Sequence, residues 1–532
     1  MTVDRRQGPP RALIGAAAAS AALALIPLAY LGVRVADAGA ATVAEILVRP
    51  RTVQTVGTSV ALVVVVVGAC LLVGLPVAAT LARLSVPCRR VWLVLVALPL
   101  AIPSYVAAYA WLAQFPAMNG FWAAALVLSL VSMPYVVIPV VAALRSADPD
   151  AEEVARTLDR TPVRAFCAAT LPQAWPAAAA GSLLVALYVL SDFGAVALFR
   201  VDAFTRTIYA SYRASFDRSG AAVLSMVLVV LAATLVLAER RVRGRAHRYR
   251  TSAGASRTAT SADAGRLATG GAVALLAAYV GLAIVVPVGS LLARLAEGSR
   301  RALDPGELVT ATAGSVGASL LGAVVAVGLA LPVGVLAARY RGRLVSGIET
   351  VAYTGHALPG VVVGLSLVFF TLGVLPGLYQ TLATLAFAYA ILFLPKAIGA
   401  TRSSVGAVPP ALEQTARTLG RGPVRAWAAT TLRLSWPGIA AGGLLVLLTA
   451  MKELPATLML RPTGFDTLAT ELWSRTEVAA YGSAAPYALA LIALAAVPAW
   501  LLSHALTRAP RTAAPTAVGE RATVESIATV AT

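Results

Sequence analysis

Along this chain an apolar window of about 20 residues or more recurs, at roughly 13–33, 56–82, 91–114, 120–143, 175–199 and 219–238, and again at roughly 267–293, 312–338, 350–375, 379–401, 437–460 and 482–507. A helix rising 1.5 Å per residue needs about 20 mostly apolar residues to cross a hydrocarbon core about 30 Å thick. Inside lipid the backbone must satisfy its own hydrogen bonds, and windows of this length do so as helices. The expected fold is therefore an all-α integral membrane protein with about 12 transmembrane helices. Composition agrees, since only 13% of the 532 residues are charged, about half the usual share in a soluble domain.

The net charge of +19 raises the question of nucleic acid. The arginines, however, sit in short clusters beside apolar windows rather than along one soluble face, and no nucleic-acid partner is expected. Arg83, Arg89 and Arg90 after the second window, the arginines from Arg240 to Arg266, and Arg339, Arg341 and Arg343 after the eighth all fall on one side. The positive-inside rule makes that side the cytoplasm. A multi-pass protein of the cell (inner or plasma) membrane follows, with both termini cytoplasmic and the loops after windows four and ten on that side. The outward loop Arg200 to Arg218 departs mildly from the rule. Arg5, Arg6 and Arg11 precede an apolar stretch long enough to span, so it reads as a retained first helix rather than a cleaved leader. Cys70, Cys88 and Cys167 have no metal-ligand spacing and imply no disulfide framework.

The two sets of six windows repeat in parallel orientation, because six crossings return the chain to the same side. Leu75-Pro76-Val77 with Arg83 matches Leu331-Pro332-Val333 with Arg339; Pro103 matches Pro359, and Pro134 matches Pro395. The expected division is a first half over 1–238, a basic linker over 239–266, a second half over 267–508 and a disordered tail over 509–532. The linker and tail are too poor in large apolar residues to build a core.

The strongest motif occupies the loops 148–172 and 408–433. Asp148 and Pro149 form a helix-start signal, and Glu152 and Glu153 suit the positive end of the helix dipole. Ala155-Arg156-Thr157-Leu158-Asp159 leads to a second start at Thr161-Pro162, which Leu171-Pro172 is expected to end. The second loop repeats this with Glu413, Ala416-Arg417-Thr418-Leu419, and Gly420 as a left-handed stop. Leu412, Ala416 and Leu419 share one side of a short helix with nothing of its own to cover them, so a partner groove is expected. The plainer alternative is a pair of amphipathic helices resting on the membrane.

At these residues the chain resembles the integral-membrane permeases of binding-protein-dependent ABC importers. That resemblance implies a coupling helix gripped by an ATPase subunit, carried by Glu152 or Glu153, Ala155, Asp159, Leu171 and Pro172, then Glu413, Ala416, Leu419, Gly420 and Leu432. Asp159 stands where the family has glycine, and Arg433 where it has proline. The implied partners are two nucleotide-binding ATPase subunits, an extracytoplasmic substrate-binding protein and the lipid bilayer. The chain itself has no G-x-x-x-x-G-K-[ST] loop, so hydrolysis is expected from a separate subunit. His247, His356 and His504 are scattered, and no catalytic residue, metal or cofactor is expected.

Pro99 through Trp111, Ser191-Asp192-Phe193-Gly194-Ala195, Ala357 through Val363 and Lys452-Glu453-Leu454-Pro455-Ala456-Thr457 resemble the fused twelve-span ferric-iron permeases. Thiamine and aminophosphonate permeases are neighbouring alternatives. A secondary transporter would not need two coupling loops, and a membrane-embedded enzyme or scaffold would need a convergent catalytic group.

Several residues are candidates for the pathway. Pro99, Pro103 and Pro359 break the helical ladder, lining a path or merely kinking a packed helix. Asp192 and Glu453 occupy equivalent positions about 25 Å beyond Trp175 and Trp436, near the outer mouth, as a gate or as part of a structural bridge with Lys452. Tyr105, Tyr109, Phe369 and Phe370 line the path or anchor helix packing.

Overall fold

The structure is a computed structural model that describes residues 8–147, 150–158, 161–213, 218–248, 265–298 and 304–508. The Asp148-Pro149 start signal, Asp159, residues 249–264 of the linker and the tail 509–532 lie outside the described residues. Within them, ten helices of each half carry the repeat, and the first half has two further short helices, Ala40–Val48 and Pro162–Ala165. The first comprises α1 (Arg11–Ala38), α2 (Pro50–Arg83), α3 (Arg89–Ala97), α4 (Ser104–Gln114), α5 (Gly120–Arg145), α6 (Asp150–Thr157), α7 (Phe166–Ser191), α8 (Gly194–Leu198), α9 (Phe204–Arg213) and α10 (Arg218–Arg248). The second repeats the order as α11 (Gly265–Ala296), α12 (Pro305–Arg339), α13 (Arg343–Ala352), α14 (Gly360–Val374), α15 (Leu382–Gly406), α16 (Pro410–Thr418), α17 (Pro423–Ala450), α18 (Pro455–Leu460), α19 (Leu468–Glu477) and α20 (Tyr481–Arg508).

Among the described residues, 9 of these helices are long and apolar enough to cross a membrane, or up to 11 when two bent pairs are each counted as one span. Helix α20 adds a shorter apolar stretch over Tyr481–Ala495. The bent pairs are the windows 91–114 and 350–375, which hydropathy alone makes continuous. The first turns by 94° between α3 and α4, the second by 97° between α13 and α14. The cause is local. A short 3-10 turn precedes each bend, then Ile102 and Leu358 become extended because each stands before a proline, and Pro103 and Pro359 open the next helix.

The first spans are not kept within their own halves. Ala17, Ala21 and Ala24 of α1 are buried against Ala326 and Ala330 of α12 and Val345 and Ile348 of α13. Small residues spaced by four let helix backbones approach closely in lipid, where tight packing replaces the hydrophobic drive. Reciprocally, Leu276, Tyr279 and Leu291 of α11 join the core of Val66, Leu128 and Tyr109 from the first half. The Tyr279 hydroxyl donates to the Leu130 carbonyl (3.0 Å), and Ser290 donates to that of Ala110 (2.9 Å). Each half therefore lends its first span to the other.

In the loop that begins at Arg200, Arg206 pairs with Asp202 and Arg213 donates to the Tyr209 hydroxyl.

Candidate functional site

Helix α6 places Asp150, Glu152 and Glu153 in its first turn and Arg156 in its last, in the sense that the helix dipole favours. Glu152 turns inward. Its carboxylate meets Arg83 of α2 at 3.4 Å and Arg156 at 2.9 Å, and accepts from the Thr170 hydroxyl at 2.7 Å; Arg83 in turn donates to Thr170 at 3.3 Å. Ala155 is 8% exposed, while Leu158 is 70% exposed and Val154 stands open beside it. Glu153 is exposed.

The second loop has the same plan. Glu413 pairs with Arg417 at 2.5 Å and accepts from Thr431 at 3.4 Å, and Arg339 of α12 donates to Thr431 at 3.3 Å. One contact differs, because Arg339 also donates to the Val408 carbonyl at 2.9 Å. Gly420 is left-handed, with φ 83°, as its stop role requires. Ala416 is 9% exposed and faces the chain's own following helix, so of the trio read as uncovered only Leu412 and Leu419 remain open, Leu419 at 78%.

Leu171-Pro172 does not end the second short helix. The chain passes from Pro162–Ala165 through one π turn, Phe166–Thr170, directly into α7. The second half has the same turn at Ala428–Leu432, although Arg433 there replaces proline. The proline is thus not its cause, and Leu432 with Arg433 keeps the geometry of Leu171 with Pro172. These turns carry Thr170 and Thr431, the hydroxyls that bridge arginine and glutamate, and π turns commonly mark functional positions. The arginines were legible only as topological markers in the repeat, and the threonines gave no sequence signal.

At the far ends of α7 and α17 the two acids act alike. Asp192 accepts from the Ala195 amide at 3.0 Å and from the Ser104 hydroxyl, so it caps α8 and ties it to the start of α4. Glu453 accepts from the Ala456 amide at 3.1 Å and caps α18 beside Gly360, the first residue of α14. Ser104 and Gly360 are equivalent in the repeat. A side chain at Gly360 would meet the Glu453 carboxylate, so the half with the shorter acid has serine and the half with the longer acid has glycine.

Lys452 does not bridge to Asp192. Its ammonium donates to the Leu100 carbonyl at 3.1 Å, reaching from the second half to the bend of the first. That carbonyl lies in the 3-10 turn before Pro103, where the regular ladder is interrupted. Lys396 stands over the Phe393 ring at 5.0 Å, within electrostatic reach of Lys452 and Glu453. Tyr105 is 4% exposed and its hydroxyl has no hydrogen-bond partner. Tyr109 instead bonds the Tyr481 carbonyl and stacks on its ring. Phe369 packs on Arg34 and Tyr212, and Phe370 on Tyr30, so both anchor helix packing around α1.

The same two-part organisation appears among known proteins. The chain is 34% identical over 479 residues, 90% of its length and 95% of the relative's, to the Fe(3+)-transport system permease protein FbpB 2 of Haemophilus influenzae. It is 35% identical to the molybdenum transport system permease protein ModB of Mycobacterium bovis, over 32% of this chain and 71% of that protein. With the sulfate transport system permease protein CysT of Escherichia coli it shares 30% identity over 40% of its own length and 83% of CysT. The latter two are thus about the size of one half. The family described as binding-protein-dependent transport system inner membrane component matches twice, over residues 71–239 and 330–509. With both repeats matched and a relative aligned along nearly its whole length, the chain belongs to this family of importer permeases.

Proposed function

We propose that the chain forms the entire transmembrane pathway of an ATP-driven importer for ferric iron. Two separate nucleotide-binding ATPase subunits grip α6 and α16 on the cytoplasmic side, where both termini also lie, and a substrate-binding protein docks on the opposite face. The division into halves 1–238 and 267–508, with a linker between and a tail after, follows from the same reading. The observation that carries it is the recurrence, at both loops, of a glutamate held inward by arginine and threonine while leucine points outward. Such a loop transmits a push on its outer face through Glu152 to Arg83 and α2, and through Glu413 and Thr431 to Arg339 and α12. Iron as substrate is supported by the relative aligned over 90% of the chain.

Leu158 and Leu419 test the grip, because both side chains are mostly exposed. Burying a leucine side chain contributes about 1.5–3 kcal/mol, so Leu158→Ser and Leu419→Ser should each weaken co-purification of the ATPase subunit by about 10-fold or more. Unchanged association in the double variant would rule out these loops as the docking elements.

A further inference from the structure

Helices α9 and α19 are equivalent in the repeat, and their anchoring fixes the register between them. The Phe204 amide at the start of α9 donates to the Ser59 hydroxyl of α2 at 3.0 Å, and the Leu468 amide at the start of α19 donates to the Ser315 hydroxyl of α12 at 2.7 Å. In that register Tyr209 is the counterpart of Trp473. Both rings close on one residue. Phe193, between α7 and α8, has its ring centroid 5.0 Å from that of Tyr209 and 5.1 Å from that of Trp473, a spacing at which aromatic pairs attract.

Counterparts from two halves that meet through a third ring straddle the axis relating the halves, which is where a path between them runs. The rings lie beyond the far ends of α7 and α17 from α6 and α16, so they stand at one end of that path. Phe193 is 2% exposed and Trp473 5%, so little of either ring is reached from outside the chain. The counterpart of Phe193 is Leu454, buried in the same core, so one half alone supplies the middle ring. A single ring on the axis is open to a fused chain and closed to a dimer of identical halves. The contact also carries a cost, because the buried Trp473 indole N–H has no hydrogen-bond partner. Parting of the rings would let water satisfy that donor.

The two serines sit on helices that also reach the cytoplasmic loops. Helix α2 runs from Ser59 to Arg83, which meets Glu152, and α12 from Ser315 to Arg339, which meets Thr431 beside Glu413. Each stretch is about 36 Å long at 1.5 Å per residue. One long helix in each half thus holds a loop contact at one end and the first amide of a ring-bearing helix at the other.

We propose that Phe193, Tyr209 and Trp473 form the outer gate of the path, and that Ser59 and Ser315 tie this gate to α6 and α16 through α2 and α12. The proposal rests on the import reading and assigns these residues closure rather than substrate binding. The rings close the path by excluding water, and they part when α9 and α19 move away from each other.

The test is a cysteine pair, Phe193→Cys with Trp473→Cys, in the full chain assembled with its ATPase subunits and binding protein in proteoliposomes. The exposed Cys88 and Cys167 are replaced by serine, and the buried Cys70 is kept. The readout is the rate at which a short bis-methanethiosulfonate bridges the pair, at rest and with hydrolysis arrested by vanadate. A closed ground state holds the open form at about 10% or less, so arrest in the open form should slow bridging about 10-fold. Adding Ser59→Ala and Ser315→Ala should abolish this response while the complex still hydrolyses ATP. Tyr209→Cys with Trp473→Cys, which keeps Phe193 in place, reads the same motion with a longer bridge.

Equal bridging rates at rest and under arrest in both pairs, with the ATPase subunits bound, overturn the gate. A full response without the two hydroxyls overturns the tie. Co-purification from the same sample separates these results from failure of the import reading, which would show as absent ATPase subunits and would remove the gate with it. No iron enters the measurement, so the identity of the cargo does not decide it.

Discussion

Arg83 and Arg339 are the same residue at equivalent positions, yet they are held differently. Arg83 faces Glu152 at 3.4 Å, whereas Arg339 shares its guanidinium between Thr431 and the Val408 carbonyl. Removing Glu152 therefore leaves a largely buried guanidinium without its counter-charge, while removing Glu413 leaves Arg339 with backbone support. Losing a hydrogen-bonded partner of a charged group costs about 1.5–3 kcal/mol. Glu152→Ala should accordingly lower the thermal stability of the solubilised chain more than Glu413→Ala, as measured by melting in detergent. Equal losses would mean that the Val408 contact does not share the load. The loops were readable as paired motifs from their spacing, and even their inequality was visible in Asp159 and Arg433. Where the inequality acts was not visible, because it depends on which carbonyl an arginine from another helix can reach.

Among elements, the two bends show most plainly what a sequence can and cannot convey. Hydropathy counts apolar residues without sensing direction, so windows 91–114 and 350–375 read as straight spans, although Pro103 and Pro359 mark the places where the chain turns. The acids that follow α7 and α17 read from sequence as a gate or as part of a bridge with Lys452, because an acid in a span is unusual. Their placement as caps of α8 and α18 emerges only when the bend of α4 or α14 packs against them. The serine–aspartate and glycine–glutamate pairs predict a rescue. Gly360→Ser alone introduces a clash with Glu453 and should impair transport. Adding Glu453→Asp recreates the first-half pair and should recover much of it, as followed by substrate uptake in whole cells. A double variant no better than the single one would show that the two acids are not interchangeable supports. The π turns at Phe166–Thr170 and Ala428–Leu432 left no trace in composition, since proline accompanies one and arginine the other.

At the level of the whole molecule, the existence of a repeat was legible, as the two family matches agree, and the crossing of its parts was not. Twelve apolar windows in two matching sets announce two halves, but nothing in hydropathy says that α1 will pack on α12 and α13 or that α11 will pack among the first-half spans. That exchange follows from alanine faces and from hydroxyls reaching carbonyls across the junction, which are three-dimensional matches between distant segments. It gives the halves a shared core around the junction where Lys452 meets Leu100, as the proposed transmission from α6 and α16 to both halves requires. The proposed ATPase grip on α6 and α16 predicts a requirement for ATP, in contrast to a carrier driven by an ion gradient. The most direct measurement is uptake of labelled ferric iron into proteoliposomes containing the full chain, its ATPase subunits and its binding protein. Uptake should require hydrolysable ATP and the binding protein, and should persist when ion gradients are collapsed. Uptake that continues without ATP and stops when the gradients are collapsed would contradict this account.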